Sequence, residues 1–194
     1  IDDLMIRSPL IIAVEEALDF IKKNIRLGFE FGGDGLQRME RWQYPIPALR
    51  ELLLNAIVHR DYTNPTDVII KIYDHSIEIT NPGKLMGDLT AEDLMNDEYQ
   101  SLHRNKLLAE AFYLTGDIEK YGTGFRRINN WLQKYPQIQV CIKELNSTIK
   151  IELTESEDKT DYEVSEVNEG ISEGISEGIN EGIKLLLSFI EKHP

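Results

Sequence analysis

Glu51-Leu52-Leu53-Leu54-Asn55-Ala56-Ile57-Val58-His59-Arg60-Asp61-Tyr62 is the stretch on which the reading of this chain turns. Leu49, Leu52, Leu53, Ala56 and Ile57 recur at core-facing helical spacing. Pro47 marks the start, because proline is well tolerated in a helix's first turn. Glu51, Asn55 and His59 stand at i, i+4 and i+8, so they follow one another along a neighbouring face. A carboxylate one turn from a carboxamide can orient a water and ligate a hard cation such as magnesium, which prefers oxygen ligands. Taken alone, the same stripe reads as a solvated helix face with a polar i,i+4 pair.

Working outward, residues 9–27 predict an amphipathic helix, with Leu10, Ile11, Val14, Ala17, Leu18, Ile21 and Ile25 recurring at helical spacing and Gly28 as its stop. Short extended pieces follow around Phe29–Phe31 and Leu36–Trp42, with Gly32-Gly33-Asp34-Gly35 as the turn between them. After Asn64-Pro65, two runs rich in β-branched residues, Asp67–Tyr73 and Ser76–Thr80, predict a β-hairpin. Asn81-Pro82-Gly83 breaks the second strand. Helices are expected at Ala91–Asn96, Asn105–Leu114 and Phe125–Lys134, and strands at Ile138–Glu144 and Thr148–Leu153. The sum is α+β: a mostly antiparallel sheet covered by helices on one face.

The 194 residues carry a formal charge of −13, unevenly placed. Residues 1–154 hold 23 acids and 18 bases, whereas Glu155 to Glu181 hold ten acids and only Lys159 as a base. So acidic a surface repels phosphate backbones and makes the chain a poor non-specific nucleic-acid binder. The single cysteine, Cys141, stands in an alternating apolar run; it rules out a disulfide framework and a cysteine-based zinc site. No run approaches a membrane span and no signal-peptide pattern opens the chain, which points to the cytoplasm and to no membrane partner. The chain starts without methionine and in mid-pattern, as a fragment of something longer would.

The acidic tail is distinct. From Glu169 to Lys184 the tetrapeptide Glu-Gly-Ile-Ser/Asn recurs, placing Ile171, Ile175, Ile179 and Ile183 four apart. On a helix that stripe drifts by roughly 40° per repeat, leaving a usable face for self-association. Four glycines oppose helix formation, at up to about 1 kcal/mol each. An oligomerisation helix and an acidic linker both fit. The domain reading is therefore 1–154, then the tail at 155–184, then the first residues of a further domain at 185–194.

Gly122-Thr123-Gly124 opens a helix, and backbone N–H groups at such a start, with the positive end of the helix dipole behind them, can hold phosphate. Glu51-x-x-x-Asn55, Asn81-Pro82-Gly83 and Gly122-x-Gly124, in that order, resemble the N box and the two glycine boxes of the GHKL ATPases, with residues 84–120 standing where those proteins carry a mobile lid. That superfamily includes type II topoisomerases, sensor histidine kinases, mismatch-repair proteins and the ninety-kilodalton chaperones. Within it the chain is most similar to bacterial proteins labelled RecG-related helicases or Schlafen/Alba-type transcriptional regulators. Asn55-Ala56-x-x-His59-Arg60-Asp61-Tyr62, Arg104-Asn105 before a helix and Glu119-x-x-Gly122-Thr123-Gly124 carry that narrower likeness, which covers roughly residues 10–154.

The resemblance implies a Bergerat-like two-layer sandwich that binds ATP with magnesium. Asn55 would ligate the metal, and Glu51 would be the catalytic residue that positions the attacking water. Gly83 would let the backbone approach the base, while Gly122, Thr123 and Gly124 would lie against the phosphates. Arg104 is a further phosphate partner by charge, as are Arg60, Lys106 and Lys120. The first glycine box departs from the family: Asn81 stands where an aspartate accepts a hydrogen bond from adenine, and an amide oxygen accepts it without charge. The resemblance implies a regulatory domain whose DNA contacts belong to flanking domains; the competing expectation is a degenerate scaffold that assembles without ligand. His59-Arg60-Asp61 lacks the asparagine a protein-kinase catalytic loop needs, since Thr66 stands there, and no motor motif supports a helicase.

Overall fold

The computed structural model describes residues 2–31, 38–96, 102–116 and 124–156, all within one compact unit, Ile1–Ser156. The Gly32–Gly35 turn and the whole tail from 157 onward, with its Glu-Gly-Ile repeat, lie outside the described residues.

Helix α1 spans Leu10–Asn24 and buries Val14, Ala17, Leu18 and Ile21. It ends earlier than residues 9–27 suggest. Asn24 turns its amide back to the Phe20 carbonyl at 2.9 Å, a side-chain bond that competes with the helix, and Ile25 is already extended. Gly28 is not a helix stop. It lies within strand β1, Leu27–Phe31, which pairs antiparallel with β2, Arg38–Trp42, placing Gly28 opposite Arg41.

Helix α2, Ile46–His59, carries Pro47 in its first turn and is buried on most of its circumference. Leu49, Leu52 and Leu54 are almost fully enclosed, because α1 packs on one side of it and α5, Gly124–Leu132, on another. Burial of that extent stabilises at about 25 cal/mol per Å² of apolar surface, so α2 anchors the whole core.

The main sheet has four strands: β3 (Ile69–Ile72), β4 (Ser76–Pro82), β5 (Ile138–Leu145) and β6 (Thr148–Glu155). They are ordered β3-β4-β6-β5, each neighbour antiparallel. Register lines up two apolar rows across all four: Ile70-Ile79-Ile151-Ile142 and Ile72-Ile77-Leu153-Val140. Because alternate residues of a strand share a face, these rows form the inner surface, and all eight residues belong to or pack against the core that also holds α1 and α2. On the other face Lys150 pairs with Glu78 at 2.7 Å. The architecture is α+β with antiparallel sheets and five helices among the described residues, compatible with a two-layer sandwich.

The second strand of the hairpin is not broken at Asn81. It runs through Pro82, which pairs with Thr148 of β6. Proline is tolerated there because the Pro82 carbonyl points away from β6, accepting a hydrogen bond from the Asp61 amide at 2.8 Å, on the side where the β3 ladder has already ended at Thr80. The break comes one residue later. Gly83 has φ of 119° and donates its amide to the Ser147 carbonyl at 2.8 Å.

Helix α3, Ala91–Asn96, starts on a reciprocal cap in which Thr90 and Asp93 each accept from the other's amide. Helix α4, Lys106–Leu114, is preceded by Asn105, whose side chain caps a different helix. Its Nδ2 donates to the carbonyls of Val58 at 2.9 Å and Arg60 at 2.8 Å, at the C-terminal end of α2.

Candidate functional site

The polar stripe of α2 forms one wall of a cleft whose empty volume, open mouth included, is about 1030 Å³. Glu51, Asn55 and His59 all line it, spread over roughly 12 Å of helix at 1.5 Å per residue. The facing walls are apolar, drawn from Ile79, Ile149 and Ile151 of the sheet and from Leu85, Leu94 and Phe125. Asn81 belongs to the same inward face of β4 as Ile77 and Ile79, so its amide occupies a position that an apolar residue would otherwise fill. It is 7 % exposed.

At one end of the cleft Gly124 begins α5 against the stripe. A side chain there has no room: a Cβ would lie 2.6 Å from Glu51 Oε1 and 3.3 Å from Asn55 Nδ2. Glu51 is 5 % exposed, and Arg127, one turn into α5, donates from Nη2 to Glu51 Oε2 at 2.8 Å. The acid of the stripe is therefore already engaged by a guanidinium. Periodicity did not single out Arg127; the available signal was its place three residues after Gly124, on the first turn of the glycine-led helix.

At the other end, Gly83 brings the backbone beside Arg104, whose Nη2 donates to the Lys84 carbonyl at 2.8 Å. A Cβ on Gly83 would sit 3.5 Å from Arg104 Nε and 3.2 Å from Asp61 Cβ. His103 lies beside His59 with ring centroids 5.7 Å apart. Burial, then the neighbouring His103 and Arg104, push the His59 imidazole down to about 4, so it is neutral near pH 7. His59 and Asp61 act separately. Asp61 Oδ1 accepts from the Thr63 amide at 3.0 Å and hydroxyl at 2.6 Å, and those bonds hold its carboxyl below the usual range. Arg60 serves structure, donating to the Thr66 carbonyl at 2.8 Å.

Three polar atoms at this cleft are buried without a hydrogen-bond partner among the described residues: Asn55 Nδ2, Asn81 Oδ1 and Arg104 Nε. Buried polar groups are nearly always paired, so each such group calls for an explanation. The charged lining is also inverted relative to the chain. Among the described residues that line it, Lys84, Arg104 and Arg127 stand against one carboxylate, Glu51, in a protein of net charge −13.

The structure thus brings Glu51, Asn55, Asn81, Arg104 and Gly124 to one cleft, with Gly83 beside Arg104. Gly122 and Thr123 lie outside the described residues, as does Lys120. No group of three or more His, Cys, Asp or Glu side chains among the described residues could hold a metal ion unaided. No described helix is long and apolar enough to cross a membrane.

Residues 66–153 match the family described as "Putative ATP-dependent DNA helicase recG C-terminal". The chain contains an ATPase-like domain. The match takes in Asn81, Gly83, Arg104 and Gly124 but begins after α2, so Glu51 and Asn55 fall outside it. The fold is similar to that in the crystal structure of the DIP2311 protein from Corynebacterium diphtheriae, with a TM-score of 0.63 and 20% identity. That likeness covers 75% of this chain and 29% of the other, so the chain spans under a third of that protein's length. No curated protein matches.

Proposed function

We propose that this ATPase-like domain binds ATP in the cleft along α2, and that it serves as the regulatory domain of a bacterial transcriptional regulator. The observation that carries the binding reading is the set of three unpartnered buried polar atoms, Asn55 Nδ2, Asn81 Oδ1 and Arg104 Nε, in one cleft with apolar walls. Apolar walls with a few convergent polar groups are what a small-molecule site requires. The surplus of cationic side chains at the lining favours an anionic ligand in a chain that is otherwise acidic.

In this reading the phosphates lie at the Gly124 end, where the absence of a side chain lets the α5 terminus approach Asn55. The base lies against Asn81, whose amide offers both an acceptor and a donor. Asn55 and Glu51 fit magnesium as oxygen donors that need completing, since magnesium usually keeps waters and takes phosphate oxygens from its nucleotide. The metal, when bound, would neutralise phosphate charge. Glu51 is the residue to position a water, and its engagement by Arg127 supports slow turnover. The domain would occupy residues 1–156, where the compact unit ends, with an acidic linker or self-association helix and then the opening of a further domain after it. DNA would be met through flanking domains, in the cytoplasm.

The test is calorimetric titration with magnesium and a non-hydrolysable ATP analogue. Saturable binding that Asn55→Ala abolishes is the expected result; no heat at millimolar ligand would overturn the reading.

A further inference from the structure

We propose that Arg127 is the residue by which the cleft tells a nucleoside triphosphate from a diphosphate: its guanidinium rests on Glu51 and passes to the terminal phosphate when one arrives. The proposal rests on the nucleotide reading above and names the part of the ligand that is sensed.

Glu51, Asn55 and Gly124 converge on one point. A Cβ on Gly124 would lie 2.6 Å from Glu51 Oε1, 3.3 Å from Asn55 Nδ2 and 3.5 Å from Asn55 Oδ1. The other oxygen of the same carboxylate, Oε2, accepts from Arg127 Nη2 at 2.8 Å. One negative group thus spans from the first residue of α5 to a cation one turn further in. An anion drawn to the start of α5 enters beside that carboxylate, and like charges so close destabilise each other unless a cation is shared between them. Among the described residues, Arg127 is the cation that pairs with Glu51.

Order along α2 decides which phosphate meets it. His59 lies beside His103, at the Arg104 and Gly83 end of the cleft. Asn55 and then Glu51 follow, each about 6 Å further from that end. Asn81 stands two residues before Gly83 on β4. A ligand with its base at Asn81 runs its phosphates past Asn55, whose Nδ2 is buried without a partner among the described residues, before it reaches Glu51. The last phosphate of the chain is the one that arrives at Arg127, and a diphosphate stops short of the pair.

The guanidinium is the member of the pair with room to move. Arg127 lines the cleft and keeps 35% of its side chain exposed, against 6% for Glu51. Its forked donors fit a phosphate as well as a carboxylate. Transfer of the guanidinium releases the carboxylate that the reading above assigns to positioning water, so that group is freed by the triphosphate and stays engaged with the diphosphate.

The experiment is calorimetric titration of the full chain with magnesium and either ADP or a non-hydrolysable ATP analogue. The wild-type chain should bind the analogue roughly tenfold more tightly than ADP, or better. Arg127→Gln should bring that ratio toward one by weakening the analogue, with ADP affinity changed by no more than roughly threefold. Arg127→Lys should keep part of the preference. Glu51→Gln should retain it, since that change removes the resting partner and not the sensor. Unfolding curves for each variant separate a lost preference from a lost fold. A wild-type ratio near one, a ratio unmoved by Arg127→Gln, equal weakening of both ligands in that variant, or a preference lost in Glu51→Gln would refute the proposal and leave the nucleotide reading standing. If neither ligand binds at millimolar concentration, both fall.

Discussion

Arg127 Nη2 lies 2.8 Å from Glu51 Oε2, joining α5 to α2 through a carboxylate that is almost wholly buried. Removing one member of such a pair strands the other in low dielectric. Arg127→Ala should lower stability by about 1–3 kcal/mol, below the fully buried figure because the arginine is partly exposed. Glu51→Gln on that background should restore part of the loss. A double-mutant cycle by urea unfolding checks this, and strict additivity would mean that the two residues are not coupled.

Gly124→Ala places a methyl group 2.6 Å from Glu51 Oε1. To make room the buried carboxylate must shift and strain its bond to Arg127. Stability should therefore fall by about 1–3 kcal/mol, while affinity for a magnesium nucleotide falls more than tenfold. Titration and urea unfolding on one preparation separate the two effects.

The buried His59 imidazole gives a pH dependence of definite sign. In the folded chain it stays neutral down to about 4, whereas unfolded it gains a proton below its ordinary 6.5. The unfolded state then binds more protons, so stability falls as pH drops from 6.5 toward 4 and this group changes nothing above about pH 7. The loss should reach about 2–3 kcal/mol. His59→Gln should flatten that slope in unfolding midpoints measured between pH 7 and 4.5.

Asn146 has φ of 53° in the turn joining β5 to β6. Asn146→Ala should cost about 1 kcal/mol, the penalty for a Cβ in left-handed backbone, and Asn146→Gly should be close to neutral. Thermal unfolding distinguishes the two.

Short-range pattern made most of the elements legible. The apolar spacing of α2, the β-branched runs of β3 and β4 and the alternation of β5 and β6 each follow from a local period, and each element formed within a few residues of expectation. Gly28 and Asn81-Pro82 misled for the same reason. Both are breakers by local propensity, yet Gly28 faces Arg41 across a strand pair and Pro82 points its missing donor where no strand needs it. The candidate site was legible through spacing along α2 and through its glycines. Arg127 and His103 were not, because each matters by meeting α2 across long stretches of chain, Arg127 at Glu51 and His103 at His59.

Asn105 lends its amide to the closing carbonyls of α2, a service that helices usually obtain from water or from the next few residues. The final turn of α2 and the segment that carries His103 and Arg104 are in consequence one mechanical part. Fraying of that turn must break the two bonds from Asn105, so amide exchange at the end of α2 becomes a gauge of whether the segment before α4 stays docked.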